Sequence, residues 1–207
     1  MTCTRKIILG FVMVSVVVVA AVAIIAATNA PKSSGVEVKS CITAADSNCA
    51  RFPTVSGANL VGDTFNLPDD FGGTLTLVLM PFDEAQTVRL TAWLPLAQEL
   101  ASAYPQFAYY STPVMKSVAP LIRAAVTAGM VLAVPANVQP VTIMLFLEDK
   151  EAFMNTLSIP DVDMPEAFLI NDDGDVLWRM RGEYSDETAA NLRAAIALQV
   201  VHLEADS

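Results

Sequence analysis

The run from Ile7 to Ala27 constrains this chain more than any other feature. It holds 21 residues, and only Gly10 and Ser15 fall outside the hydrophobic set. As a helix rising about 1.5 Å per residue it spans roughly 31 Å, close to the ~30 Å hydrocarbon core of a bilayer. It is longer than the roughly 7–15-residue apolar core of a cleaved signal peptide, although Thr28-Asn29-Ala30 has the small residues of a cleavage site. The expectation is an uncleaved anchor over residues 7–28 behind a stub of residues 1–6. Arg5 and Lys6 favour an inside N-terminus, while Lys32 and Lys39 follow the other end. The stub is too short to be a domain, so the C-terminal body is expected on the extracytoplasmic side, periplasmic or extracellular.

The chain as a whole is 54% hydrophobic. Without the apolar run, about half of the remainder is hydrophobic, which is ordinary for a globular domain. The rest is long enough for one domain with a core of its own. All acidic residues follow position 36, and from residue 31 onward 10 basic residues face 22 acidic ones, a net charge of −12. Such a body repels nucleic acid backbones and anionic membrane surfaces, which excludes both as main partners.

Of the three cysteines, Cys3 precedes the apolar run, while Cys41 and Cys49 follow it. In an oxidising compartment a pair so spaced commonly closes a disulfide, and the loop-entropy relation gives such a ring about 2.6 kcal/mol. A structural staple, two free thiols and a redox pair all remain open readings. Residues 29–55, rich in Ala, Ser, Thr, Asn, Asp and Pro, read as a linker, and residues 56–207 as the folded domain.

Within that domain Phe65 to Pro68 reads as a short strand. Thr74 to Met80 is a near-continuous apolar run of strand length, suited to a strand covered on both faces. Leu90, Trp93, Leu94, Ala97, Leu100 and Ala101 recur at helical spacing over Asp83 to Ala103, and Pro95 should kink that helix. Phe107 to Tyr110 is a second core strand. Ser117 is positioned to cap a helix through Leu121, Ile122, Ala125, Val126 and Met130, with Pro120 in its first turn. Val141 to Leu147 is a third buried strand, and Glu148 to Leu157 a short helix with acidic residues at its positive end. Ala167 to Ile170 and Val176 to Met180 flank Asn171-Asp172-Asp173-Gly174, a hairpin turn, and Ser185 caps a last helix with Leu192, Ile196, Val200 and Leu203 as its stripe. The alternation argues an α/β fold with helices packed on a largely buried sheet.

Met164-Pro165 leading into Glu166-Ala167-Phe168-Leu169-Ile170, then the turn, then Asp175 to Gly182, then a helix, resembles the thioredoxin-like superfamily over about residues 56–203. The resemblance implies a central mixed sheet flanked by helices and a cis-proline at Pro165. The approach from Gly62 to Gly73 is similar to the peroxiredoxin and TlpA-like branch. Val141 to Asp163 together with Phe168 to Glu187 resembles the assembly-factor family of the mitochondrial F-type ATP synthase and its uncharacterised bacterial relatives. That resemblance implies a thioredoxin-like fold and a role in assembling a membrane subunit. Thioredoxin-like enzymes carry cysteines just after the first core strand. Here Phe82 to Leu90 contains none, and Thr87 cannot replace a thiolate in disulfide exchange or peroxide reduction.

No catalytic, cofactor or metal residues are expected. Asn171, Asp172, Asp173 and Asp175 lack the spacing of a calcium loop. His202 is the only histidine, and Trp93 and Trp178 read as core residues. Asp83, Glu84 and Thr87 at the helix start, with Asp161, Asp163, Met164 and Pro165 on the loop opposite, are the candidate partner-binding residues; helix-dipole and solvated-loop roles account for the carboxylates equally well. The leading expectation is a membrane-tethered protein that binds an unknown partner protein in assembly or scaffolding of a membrane or envelope complex. The alternative is an extracytoplasmic thiol–disulfide oxidoreductase using Cys41 and Cys49.

Overall fold

A computed structural model describes residues 50–205, with side chains as far as Val201. The apolar run, the linker up to residue 49, Cys3, Cys41 and Cys49 lie outside the described residues. Among the described residues no helix is long and apolar enough to cross a membrane.

The elements are β1 (Val55–Asn59), β2 (Thr64–Leu67), β3 (Leu75–Met80), α1 (Glu84–Leu90), a 3-10 turn (Thr91–Trp93), α2 (Leu94–Ala103), β4 (Phe107–Ser111), β5 (Val114–Lys116) and α3 (Pro120–Ala133). A second 3-10 turn (Gln139–Val141), β6 (Ile143–Leu147), α4 (Lys150–Thr156), β7 (Glu166–Asn171), β8 (Val176–Arg181) and α5 (Asp186–Ala205) follow. Two four-stranded sheets have the orders β2-β1-β6-β5 and β4-β3-β7-β8. They meet at one bent strand. β4 runs parallel to β3 as far as Ser111, and the Thr112 and Val114 amides still donate to Leu79 O and Pro81 O at 2.8 and 3.0 Å. From Pro113 onward the other edge of the same strand pairs with β6, beginning with Leu145 N–H to Pro113 O at 2.9 Å. A parallel bridge between Ser111 and Thr142 closes the junction.

All six residues of β3 are buried, Thr76 included, as its near-continuous apolar run implies. Leu75, Leu77 and Leu79 enter one core with Trp93, Leu100, Trp178, Leu192 and Ile196. Val78 and Met80 point the other way, into a second core with Phe52, Leu145, Phe153, Phe168 and Ile170. The period-two pleat of one strand therefore feeds both cores.

Several elements differ from the sequence reading. The helix expected to kink at Pro95 breaks one turn earlier, at Thr91–Trp93, and restarts with Pro95 in the first turn of α2. There the missing N–H costs nothing, and the ring no longer meets a helical carbonyl four residues back. Ser117 does not cap α3. Its N–H donates to Leu147 O at 2.7 Å, which keeps it in the extended chain beyond β5, and Ala119 occupies the cap without a side-chain bond. β1 and β5 are strands the periodicity did not reveal. β1 passes close over β6: a Cβ on Gly57 would lie 2.7 Å from Leu145 Cδ2 and 2.9 Å from Met144 O, so only glycine fits. The fold also reaches back before Val55. Phe52 is buried against Phe71 and Phe153, its N–H donates to Gly174 O, and Ala50 O accepts from Val176 N. The last helix follows the expectation in its first half; Val200 is half-buried and the Leu203 side chain lies outside the described residues. Ser185 Oγ accepts from Thr188 N at 3.1 Å, and Leu192 and Ile196 are buried.

Candidate functional site

Where β3 ends, Pro81 and Phe82 lead into α1, the corner at which the thioredoxin-like resemblance implies the cysteines of a thiol enzyme. Asp83 is the N-cap of α1; its carboxylate accepts from Gln86 N at 2.7 Å. Glu84 follows in the first turn, and both acidic residues are exposed. Thr87 donates its hydroxyl to Asp83 O at 2.9 Å. Gln86 is almost fully buried. Its Oε1 accepts from Phe82 N at 2.9 Å, and its Nε2 donates to Val162 O at 2.7 Å. One side chain thus ties the start of α1 to the loop that precedes β7. Sequence reading passed over Gln86; its signal was a polar residue at the third helical position behind an Asp cap.

Changing Gln86 to Leu leaves a buried amide and a carbonyl unpaired, with an expected cost of about 1–3 kcal/mol. Hydrogen exchange at the Phe82 amide should speed up by more than exchange in the centre of β7. Equal acceleration at both would mean that Gln86 acts only on global stability.

The loop side carries the other candidates. Asp161 pairs with Arg181, and its Oδ1 accepts from Asp163 N at 2.8 Å. Asp161, Val162 and Asp163 are exposed, Met164 is half-buried and Pro165 is buried. The cis peptide implied for Met164–Pro165 is not there: the cis bond among the described residues is Leu67–Pro68. Pro165 keeps the default trans form, and its carbonyl accepts from Gly182 N at 2.9 Å, continuing the β7–β8 ladder.

Behind the corner lies Glu166, completely buried at the head of β7. It pairs across the sheet with Met80 on one side and Arg181 on the other. Its Oε2 lies 3.2 Å from Arg179 Nη2, and its Oε1 is 3.9 Å from Arg181 Nε without a hydrogen bond. Burial pushes the Glu166 carboxyl above its ordinary range. Arg179 and Arg181 pull it back in part, and Asp161 adds to the push. Arg179 also donates to Leu157 O at 3.0 Å and lies over the Phe168 ring, so it holds the end of α4 against the hairpin. The signal for this cluster was a charged residue heading an apolar strand, opposite a strand with arginines two apart.

Beside the corner, between α1 and α3, a groove of about 340 Å³ opens. Asp83, Glu84 and Thr87 stand on its lip, and Phe82, Met115, Met130 and Met144 are among the apolar residues lining it. Lys150 donates to Val114 O and stacks 5.2 Å from the Phe82 ring, and burial lowers its pKa. The seven candidates therefore divide. Asp83, Glu84 and Thr87 border the groove, while Asp161, Asp163, Met164 and Pro165 lie across the Gln86 bridge.

Among the described residues no three His, Cys, Asp or Glu side chains gather to hold a metal. Asn171 Oδ1 is occupied by Asp175 N at 2.7 Å, and Arg51 reaches Asp173 O at 2.8 Å, so the acidic turn is tied into the fold. Trp93 and Trp178 are both fully buried, 6.3 Å apart in an edge-on pair. His202 lies in α5 beyond the described side chains.

No protein family model matches the chain. No curated protein matches it either. Solved structures do resemble it. One from Aquifex aeolicus, described as an electron transfer protein, has a TM-score of 0.53 at 10% identity, covering 72% of this chain and 96% of that one. The thioredoxin domain of a thiol-disulfide oxidoreductase from Bacteroides vulgatus is similar at a TM-score of 0.46 and 16% identity, covering 70% and 96%. An exposed lipoprotein thioredoxin from Streptococcus pneumoniae gives 0.48 and 13%, covering 70% and 99%. At such identities the likeness concerns the fold alone, a mixed α/β domain.

Proposed function

We propose that this chain is a membrane-tethered, extracytoplasmic, redox-inactive thioredoxin-like protein that binds partner proteins, in the assembly or scaffolding of a membrane or envelope complex. The observation that carries the reading is the composition of the corner after β3. Residues 50–205 contain no cysteine, and the corner is held by the Asp83 cap and the Gln86 bridge. Disulfide exchange needs a thiolate. Beside that corner lies the methionine-lined groove. Thioether side chains are flexible and polarizable, and they repack around different apolar ligands. The acidic lip adds a preference for a partner with basic residues beside its apolar anchor. The likeness of Val141 to Asp163 and Phe168 to Glu187 to the ATP synthase assembly factors supports a membrane subunit as that partner.

The test is capture of partners from solubilised membranes by the full chain, compared with Met130→Arg and Thr87→Arg variants. A defined partner should be retained by the native chain and lost by at least tenfold with Met130→Arg, since a charge in an apolar groove leaves an unpaired ion. Retention by both variants would move the binding site elsewhere. Reductase activity that disappears when Cys41 and Cys49 become serine would replace this reading with the oxidoreductase.

A further inference from the structure

α3 is built almost wholly of apolar residues, PLIRAAVTAGMVLA, yet none of them is buried. Leu121 is 83% exposed, Ile122 54% and Leu132 89%. Leu121, Ala125, Ala128 and Leu132 recur at helical spacing and form an apolar outer stripe; the half-buried Val126, Thr127 and Met130 face inward. The sequence placed Leu121, Ile122 and Ala125 along this helix, and the structure leaves all three exposed. A helix that is hydrophobic all round belongs in a core or in lipid.

We infer that the outer face of α3 lies in the interfacial layer of the bilayer to which the chain is tethered. This rests on the tethered reading of residues 7–28. Charge favours lipid as the occupant. Residues 100–147 contain no Asp or Glu, in a chain with 22 of them, and their only charges are Lys116 and Arg123. The carboxylates that repel a membrane surface elsewhere are missing from this stretch, and the two cations flank the start of α3, where headgroup phosphates would meet them. Area disfavours a second copy. A 14-residue helix is about 21 Å long and about 10 Å wide. Its face is therefore about 210 Å², well short of the ~800 Å² per partner in a stable dimer. The tether keeps lipid at high effective concentration, so a small face suffices.

The experiment uses the full chain, with Cys3, Cys41 and Cys49 changed to serine, reconstituted in phosphatidylcholine vesicles. An environment-sensitive fluorophore is placed by Leu121→Cys, Leu132→Cys or, as a control on α2, Ser102→Cys. An interfacial helix sits ~5–10 Å into the headgroup and acyl boundary, so lipids carrying a nitroxide near the headgroup should quench positions 121 and 132 about twofold and leave 102 unchanged. Vesicle flotation run alongside reports the tether. A chain that floats with no quenching at 121 and 132 overturns the inference and leaves the tether standing. A blue-shifted but unquenched probe identifies a protein surface as the occupant and also overturns it. A chain that does not float removes both.

Discussion

Replacing Trp178 by alanine should lower the free energy of unfolding by about 3–5 kcal/mol. That is a large part of the ~5–15 kcal/mol that holds a domain of this size. Trp178 is fully buried in β8 and packs edge-on against Trp93, which in turn meets Tyr184 at 5.1 Å. The three rings join the sheet to the turn before α2 and to the approach to α5, so a cavity here cannot collapse onto one flexible neighbour. The indole nitrogens of both tryptophans lack a hydrogen-bond partner. Trp178→Phe should therefore cost clearly less than Trp178→Ala, because it removes an unpaired donor together with part of the ring volume. Urea denaturation followed by circular dichroism measures both. A loss below about 1 kcal/mol for the alanine variant would show that the ring pair is not central to the core.

Glu166 gives the second large effect. Its carboxylate and the Arg179 guanidinium, only 12% exposed, are held together in the interior. Glu166→Ala leaves Arg179 facing a cavity without its counter-ion, and loss of one partner of a buried pair costs about 3–5 kcal/mol. Glu166→Gln keeps an acceptor for Arg179 and should cost less. The pH dependence has a definite sign. Burial raises the folded-state pKa of Glu166 above its ordinary 4.5. The folded chain then holds this proton more tightly than the unfolded chain. The contribution is fully present below the unfolded pKa and is lost as pH rises through the folded one. The glutamine variant cannot ionise, so its stability relative to the native chain should improve from acid toward neutral pH. Urea titrations at pH 4 and pH 7 read this directly. The opposite trend would mean that the two arginines outweigh burial and lower the pKa.

Much of the central sheet was legible because its strands are buried on both faces. Thr74 to Met80 and Val141 to Leu147 carry near-continuous apolar runs, and the Asn171 to Gly174 turn fixes the β7–β8 hairpin. β1 was not legible: Val55-Ser56-Gly57-Ala58-Asn59 has no alternation, and its strand state comes from pairing with β2 and β6. β5 was hidden for a similar reason, since three residues beyond Pro113 are extended only because they continue β4 along a new neighbour. The Pro95 break shifted by one turn because a proline is accommodated better in a new first turn than inside an old helix. In the site, the capping Asp83 was readable from its type and position. Gln86 and Glu166 were not, because their importance lies in partners 76 residues away for Gln86 and on a neighbouring strand for Glu166.

The short strap at Ala50 to Phe52 sets how the domain responds to pull. Tension reaching Ala50 from the N-terminal side is carried first by the Val176-to-Ala50 and Phe52-to-Gly174 hydrogen bonds and by Phe52 seated among its aromatic neighbours. These contacts grip the turn at one end of β7. Glu166, Pro165 and the corner with Gln86 lie at the other end, about 17 Å away along a six-residue strand. A load of this kind therefore enters at the hairpin tip and is spread through the sheet ladder before it reaches the groove. The strap works as a strain relief: motion applied at Ala50 is taken up at the hairpin before it can change the shape of the groove.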